Sequence, residues 1–401
     1  MKRIYLSAIL FPAILIAVGF YNFVLNSDSL ITDIQENNIS LKEVASGQVA
    51  RNIEASYTEN FISRGKLMQI SSALNRLKGK SDKVEIVDTT GINVAQDWND
   101  ETQNETGEIN HTSYGSILII GNKAMELNRY DEKAIDSYAK TLNQVAEKLE
   151  HEAKVYSLIV PTPIEFIQDK KYKAMSYSQE DSIRETYSKY ENVISVDAYS
   201  TLKEHSDEYI YFGTDHHWTQ LGAYYAYAEF IKQFNVNPIE LEEFNHFQIK
   251  DFIGSLYRMT QSEKLANNKD TIDVYEPRTP SKMYWSINKN NKGAKVIHKD
   301  YATEDNKYGV FLRGDTPLLY IESEANNDLS IAVIKDSYAN AFIPFLTNHF
   351  SRIVVIDPRL WNGNLYDLVQ EEAIDSVLFL NYALINRFEG YSDVLSKILI
   401  K

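Results

Sequence analysis

The first hydrophobic run of the chain, Ile4 to Leu25, carries no charge and is close to the roughly 20 apolar residues a helix needs to span a bilayer. Lys2 and Arg3 precede it, while Asp28, Asp33 and Glu36 follow it. That Lys/Arg asymmetry puts the bulk of the chain outside the cytoplasm. A cleaved signal peptide would end in small residues, but Gly19-Phe20-Tyr21-Asn22-Phe23 is bulky there. Residues 1–27 are therefore read as a cytoplasmic tip and retained transmembrane anchor, giving a single-pass protein of the cell membrane with an extracytoplasmic C-terminal domain. Apolar residues then recur at helical spacing from Ser29 to about Leu77 (Ile31, Ile34, Ile39, Val44, Val49, Ile53, Phe61, Leu67, Ile70, Leu74) with no proline among them. This period predicts a helical stalk over 28–85.

Beyond a polar stretch from Asp88 to Ser116, short apolar runs alternate with helical periodicity. Strands are predicted at Ser116–Ile120, Val155–Val160, Val193–Val196, Leu329–Ile334, Ile353–Ile356 and Val377–Leu380. Helices are predicted at Glu132–Glu152, Ser182–Tyr190, Gly222–Phe234, Ala339–Leu346 and Leu365–Glu372, with a short extended segment at Tyr209–Phe212. Such alternation is the signature of α/β units with parallel strands, and it predicts an α/β domain over 86–401. Between Asn237 and Leu312 the pattern fails, and about 237–312 reads as an inserted β and loop segment.

Composition narrows the function. The 401 residues are 44% hydrophobic and 24% charged, enough for a large core. Lys and Arg total 41 against 56 Asp and Glu, a formal charge of -15, which repels a phosphate backbone and argues against a nucleic-acid partner. There is no cysteine, so a disulfide framework, a thiolate nucleophile and a sulfur-ligated zinc site are all excluded.

Two stretches carry candidate chemistry. Tyr211-Phe212-Gly213-Thr214-Asp215-His216-His217-Trp218-Thr219 lies between an extended segment and a helix, and Lys335-Asp336-Ser337-Tyr338-Ala339-Asn340 lies where an Ile/Val strand meets a helix. A serine at a strand-to-helix turn is exposed and near a helix N-terminus, at the sheet edge where α/β folds collect functional groups. Ser337 needs a base, and the base needs an acid to hold its tautomer. His217 and Asp215 fit those roles; His216 is the auxiliary residue, and exchange of the two histidines stays open. The same residues also read as helix caps and a satisfied polar cluster. Asn381, at the end of a later strand, is a candidate oxyanion donor beside the Ser337 N–H, and Gly314-Asp315 is a candidate for a further N–H.

Together these residues resemble the DHHW protein family, named for the run Asp215-His216-His217-Trp218, within the SGNH hydrolase-like superfamily. Similar segments are Asn60-Phe61 through Arg64, Ile159 to Thr162, Tyr211 to Thr214, Gly222-Ala223-Tyr224, Phe311 to Asp315, and Lys335 to Asn340 with Pro344-Phe345-Leu346. The resemblance runs from roughly Asn60 to Tyr382. It implies a three-layer α/β/α SGNH-like fold with permuted motif order, in which the serine comes last. No GDS block is present, since Lys335-Asp336-Ser337 stands there, and the spacing is Asp-x-His rather than Asp-x-x-His. More distant relatives, the alginate O-acetyltransferases, imply an Asp-x-His dyad and a later serine, which fall on Asp215, His217 and Ser337.

The resemblance implies a membrane-anchored extracytoplasmic O-acetyltransferase or acetylesterase acting on a cell-surface or secreted polysaccharide. Acetyl-CoA is not available outside the membrane, so it also implies a membrane-bound O-acyltransferase as the acetyl-donor partner. No cofactor or metal is implied. One rival is a metal-dependent phosphoesterase, which needs an early Asp-x-Asp block; Asp97 and Asp100 have one residue too many between them. The other is a non-catalytic glycan-binding or scaffold protein of a polysaccharide acetylation or export complex.

Overall fold

A computed structural model describes residues 84–88, 116–285, 293–387 and 390–399. The anchor segment 4–25, nearly all of the stalk, and Asp97 with Asp100 lie outside these residues. Among the described residues no helix is long and apolar enough to cross a membrane.

The chain forms a mixed α/β fold around a central mixed sheet. Strand β1 (Val84–Asp88) pairs antiparallel with β2 (Ser116–Ile120), which turns at Gly121-Asn122 into β3 (Lys123–Glu126). The left-handed backbone at Gly121, φ 61°, is what so short a hairpin needs. Tracing on, the chain builds β4 (Lys154–Val160), β5 (Val193–Ser195), β6 (Asn245–Phe252), β7 (Asp270–Glu276) and β8 (Ser281–Tyr284). It ends with β9 (Leu318–Ser323), β10 (Ser330–Lys335), β11 (Arg352–Ile356) and β12 (Ser376–Tyr382). The seven-stranded sheet has the order β5-β4-β12-β10-β11-β9-β8. Its first five strands are mutually parallel, and β9 and β8 close one side antiparallel.

Two expectations are corrected. Ser116–Ile120 is a strand, but it belongs to the separate antiparallel sheet β1-β2-β3, because the turn at Gly121 returns the chain at once to its neighbour. The central sheet is also not wholly parallel, since the unpredicted β9 runs against β11 in register Val354 to Tyr320.

Side chains alternate along the parallel strands between two cores. Tyr156, Leu158, Val160, Ile331 and Val333 face one, with helices Gln220–Ile231 and Ala339–Leu346. Val155, Ile159, Ala332 and Ile334 face the other, with helices Glu132–Lys148 and Leu365–Glu371. Because both faces are covered, β10 and β12 read as continuous apolar runs. The chain leaving β10 enters the helix on the first face, and the chain leaving β12 continues on the second, where Ala383 and Ile385 pack. Such divergence at neighbouring strand ends opens a crevice at the carboxyl edge of a sheet. Ser337 sits there.

Candidate active site

The run from Tyr211 to Thr219 folds back on itself. Tyr211 and Trp218 form an antiparallel bridge, the Phe212 N–H donates to the His217 carbonyl at 3.3 Å, and the Thr219 N–H donates to the Ile210 carbonyl at 2.9 Å. At the tip, Asp215 Oδ1 accepts the His217 backbone N–H at 2.9 Å, an Asx-type turn that an aspartate two residues before the donor is suited to make. The same oxygen accepts the His217 Nδ1–H at 2.6 Å. The carboxylate therefore fixes both the backbone and the ring of the residue two positions on.

On the other stretch, β10 ends at Lys335 and the helix Ala339–Leu346 begins four residues later. Asp336 holds the turn from both sides. Its Oδ1 accepts the Tyr338 N–H at 3.0 Å, and its Oδ2 accepts the Tyr382 N–H at 2.9 Å and Asn381 Nδ2 at 3.3 Å. Burial pushes the Asp336 carboxyl above its ordinary pKa, opposed by the Tyr382 N–H, the Arg359 charge and the Tyr338 N–H. Ser337 is thus not tied up as a helix cap.

Trp218 and Tyr338 join the two stretches. The Trp218 Nε1–H donates to the Tyr338 carbonyl at 2.8 Å, and the Tyr338 hydroxyl donates to the His216 carbonyl. Both side chains are almost fully buried, so these bonds lie away from competing water. The result is that His217 Nε2 lies 2.8 Å from Ser337 Oγ. With Nδ1–H given to Asp215, Nε2 is the acceptor and the serine hydroxyl the donor. Asp215 and His217 are fully buried, while Ser337 is the partly exposed member. Burial opposes ionisation of Asp215, but the two imidazoles and the Ser255 N–H outweigh it, holding the carboxyl well below the usual range.

The structure separates the two histidines that the sequence leaves interchangeable. His216 turns its Nδ1 to Ser255 Oγ at 2.5 Å, with its ring 3.8 Å from that of His217 between centroids. Burial pushes its pKa down to about 3, so it is a neutral group at physiological pH.

Asn381 does not serve as expected. Its amide donates to Tyr391 Oη at 2.6 Å and to Asp336, while Oδ1 accepts from Tyr138 Oη at 3.0 Å. Both amide hydrogens are committed behind the turn, away from an oxyanion position, because Asn381 points into the tyrosine-lined core of the second face. The Gly314 N–H is committed too, to the Phe311 carbonyl at 3.0 Å. The carboxylate of Asp315 binds Lys335 and accepts from Asn340 Nδ2 at 2.9 Å and Arg359 at 2.7 Å. Although burial opposes its ionisation, Lys335 and Arg359 hold it well below the usual range. Among the described residues no acceptor takes the Ser337 N–H itself.

Two residues went unnoticed in the sequence. Tyr308 stacks on the His217 ring at 4.0 Å and 10°, and its hydroxyl donates to the Ser337 carbonyl at 3.3 Å. Ser255 donates its N–H to Asp215 Oδ2 at 2.8 Å. Both lie in the 237–312 segment, where hydrophobic period gives no register and no motif marks them.

Donor atoms of Asp215, His216 and His217 lie within 4.8 Å of one another, a spacing a cation accepts. Here those atoms are aimed at protein partners instead: Asp215 Oδ1 and His217 Nδ1 bond each other, and His216 Nδ1 bonds Ser255.

The profile of a family described as DHHW protein matches residues 30–356. Among solved structures, the chain is similar to a DHHW family protein from Eubacterium siraeum, with 29% identity and a TM-score of 0.66, covering 73% of this chain and 98% of that one. It is also similar to Bacillus cereus PatB1, with 20% identity and a TM-score of 0.59 over 70% of this chain and 99% of that one. A second PatB1 structure, with a sulfonyl adduct, matches at 20% identity and a TM-score of 0.56, covering 68% and 97% of the two chains. No curated protein matches significantly.

Proposed function

The chain belongs to the DHHW protein family, and from that premise and the site geometry we propose that it is a serine-dependent acyl-ester enzyme, an O-acetyltransferase or acetylesterase of a cell-surface or secreted polysaccharide, on an SGNH-like fold. The observation that carries this reading is the relay Asp215 Oδ1 to His217 Nδ1 at 2.6 Å and His217 Nε2 to Ser337 Oγ at 2.8 Å, assembled from stretches 120 residues apart. A buried carboxylate, an imidazole held in one tautomer and a partly exposed hydroxyl are the parts that nucleophilic acyl transfer needs.

In this mechanism Ser337 Oγ attacks the acetyl carbonyl while His217 Nε2 takes its proton. Asp215 stabilises the imidazolium, and the Ser337 N–H bonds the oxyanion of the tetrahedral intermediate. Collapse releases the donor alcohol, protonated by His217, and leaves an acetyl ester on Ser337. A sugar hydroxyl, or water, then attacks that ester and gives its proton to His217, which passes it to Ser337 Oγ as the acetylated sugar, or acetate, departs, restoring the free serine. Stacking of Tyr308 on the imidazole supports this role by restricting ring rotation between the two proton transfers. No cofactor enters.

Residues 4–25 supply the membrane anchor in this proposal. The single-pass protein then holds its catalytic domain outside the cytoplasm, and a membrane-bound O-acyltransferase delivers the acetyl group. One experiment tests the chemistry. The full-length chain in detergent is given a chromogenic acetyl ester, alongside Ser337→Ala and His217→Ala, and is separately treated with a sulfonyl fluoride. The wild type turns the ester over, both variants lose activity, and the sulfonyl group is recovered on the Ser337 peptide. Equal rates for all three proteins would overturn the assignment.

A further inference from the structure

The inserted segment does more than cover the sheet, because it grips the turn that carries Asp215. Asp270, the first residue of β7, is 5% exposed and spends both carboxylate oxygens on that turn. Its Oδ1 accepts the Gly213 N–H at 2.9 Å and the Tyr209 hydroxyl at 2.6 Å. Its Oδ2 accepts the Thr214 N–H at 2.7 Å and the Thr214 hydroxyl at 2.5 Å. A second part of the same segment closes from the other side. The Gly254 N–H donates to Thr214 Oγ1 at 3.0 Å, the Tyr257 N–H to the Thr214 carbonyl at 3.0 Å, and the Ser255 N–H to Asp215 Oδ2 at 2.8 Å.

We propose that Asp270 is a positioning residue for acyl transfer, acting through Gly213 and Thr214 to hold Asp215 against His217. Three of the four donors on this buried carboxylate come from the two residues immediately before Asp215 and fix them, and Thr214 passes the constraint to the 254–257 stretch through its hydroxyl. A neutral amide cannot replace this arrangement, since it offers one acceptor oxygen and turns two hydrogens toward donors. The gap between His217 and Asp215 sets whether the imidazole can take the serine proton, so a small displacement of the turn acts on the chemical step rather than on substrate binding.

This inference rests on the serine-dependent reading, and the test separates the two. Asp270→Asn is compared with wild type, Ser337→Ala and Asp273→Asn on an acetyl ester with the full-length chain. Asp273 is the control because it lies on the same strand and its side chain, among the described residues, bonds His246 and Gln248, at 2.7 and 2.8 Å. Asp270→Asn is expected to lower kcat about 10- to 100-fold with KM within about twofold, and to move or broaden the low-field proton resonance of the His217 Nδ1–H. Asp273→Asn keeps wild-type values. Thr214→Val, which deletes one hydroxyl and leaves Asp270 in place, is expected to lower kcat several-fold and serves if Asp270→Asn does not fold. An unchanged kcat in folded Asp270→Asn, or in Thr214→Val should the first be unfolded, overturns the positioning role while Ser337→Ala remains inactive. Full activity in Ser337→Ala instead removes the serine reading.

Discussion

Asp215→Asn keeps the shape of the side chain and removes its charge, so it isolates what the carboxylate contributes. Oδ1 receives two donors, the His217 N–H at 2.9 Å and Nδ1–H at 2.6 Å, and Oδ2 receives the Ser255 N–H at 2.8 Å. An amide has a single oxygen. Placed at the Oδ1 position, it keeps two bonds and sets its NH2 against the Ser255 N–H. Flipped, it keeps the Ser255 bond and donates to His217 Nδ1, which forces the imidazole proton onto Nε2, where no lone pair remains for the serine proton. Each orientation makes two bonds and sets the NH2 against one backbone N–H, so bond count favours neither. Even in the first, the imidazolium formed during attack loses its counter-charge in a fully buried place. Breaking such a pair costs about 3–5 kcal/mol, and about 1.36 kcal/mol is a decade in rate. The expected fall in kcat is therefore about 10^2- to 10^4-fold, with KM little changed because Asp215 has no exposed surface. Initial rates on a chromogenic acetyl ester measure this, with circular dichroism as the check on folding. A folded variant whose kcat stays within about threefold of wild type would refute the reasoning.

Other expectations follow from the same geometry. Gly254→Ala places a Cβ 2.1 Å from Asp215 Cβ, so either the catalytic turn or the 254–257 stretch moves; activity is lost and stability falls by about 1–3 kcal/mol, read by thermal denaturation. Trp218→Phe removes the Nε1–H bond to the Tyr338 carbonyl, lowering stability by about 1 kcal/mol with a larger proportional loss of activity, since that bond joins the two stretches. Buried His216 and His349 have pKa values pushed down to about 3 and about 4, in both cases by burial first. Unfolded, they bind protons near pH 6.5, so below that pH the unfolded state holds more protons and stability falls. The urea midpoint is expected to drop from pH 7 toward pH 4, and to drop less in His349→Gln.

Much of the parallel sheet was legible because buried strands write continuous Ile/Val/Leu runs. Val155–Val160 falls within β4, Ile353–Ile356 within β11 and Val377–Leu380 within β12. The helix Ala339–Leu346 matched as read, with Pro344 tolerated near its end. The antiparallel edge was not legible: Leu318–Ser323 mixes Leu, Tyr, Glu and Ser, and nothing local says which neighbour it will pair with. Ser116–Ile120 shows the complementary limit, because its strand character is local but its sheet is decided by the turn after it. At the site, the Asp-x-His spacing and the strand-end serine pointed to the residues that the fold brings together. Ser255, Tyr308 and Asp270 left no such sign, because they act by where the inserted segment lays them. Asn381 has the residue type for an oxyanion donor, yet its side chain is claimed by Tyr138, Asp336 and Tyr391, a competition that only three-dimensional neighbours reveal.

The most direct measurement is acid quenching of the full-length chain during turnover of an acetyl ester, followed by peptide mass spectrometry. The acyl-transfer account expects an acetyl group on the Ser337 peptide, absent in His217→Ala and strongly reduced in Asp215→Asn. Turnover at a wild-type rate in Ser337→Ala, with any acetyl group found on another side chain, would contradict it.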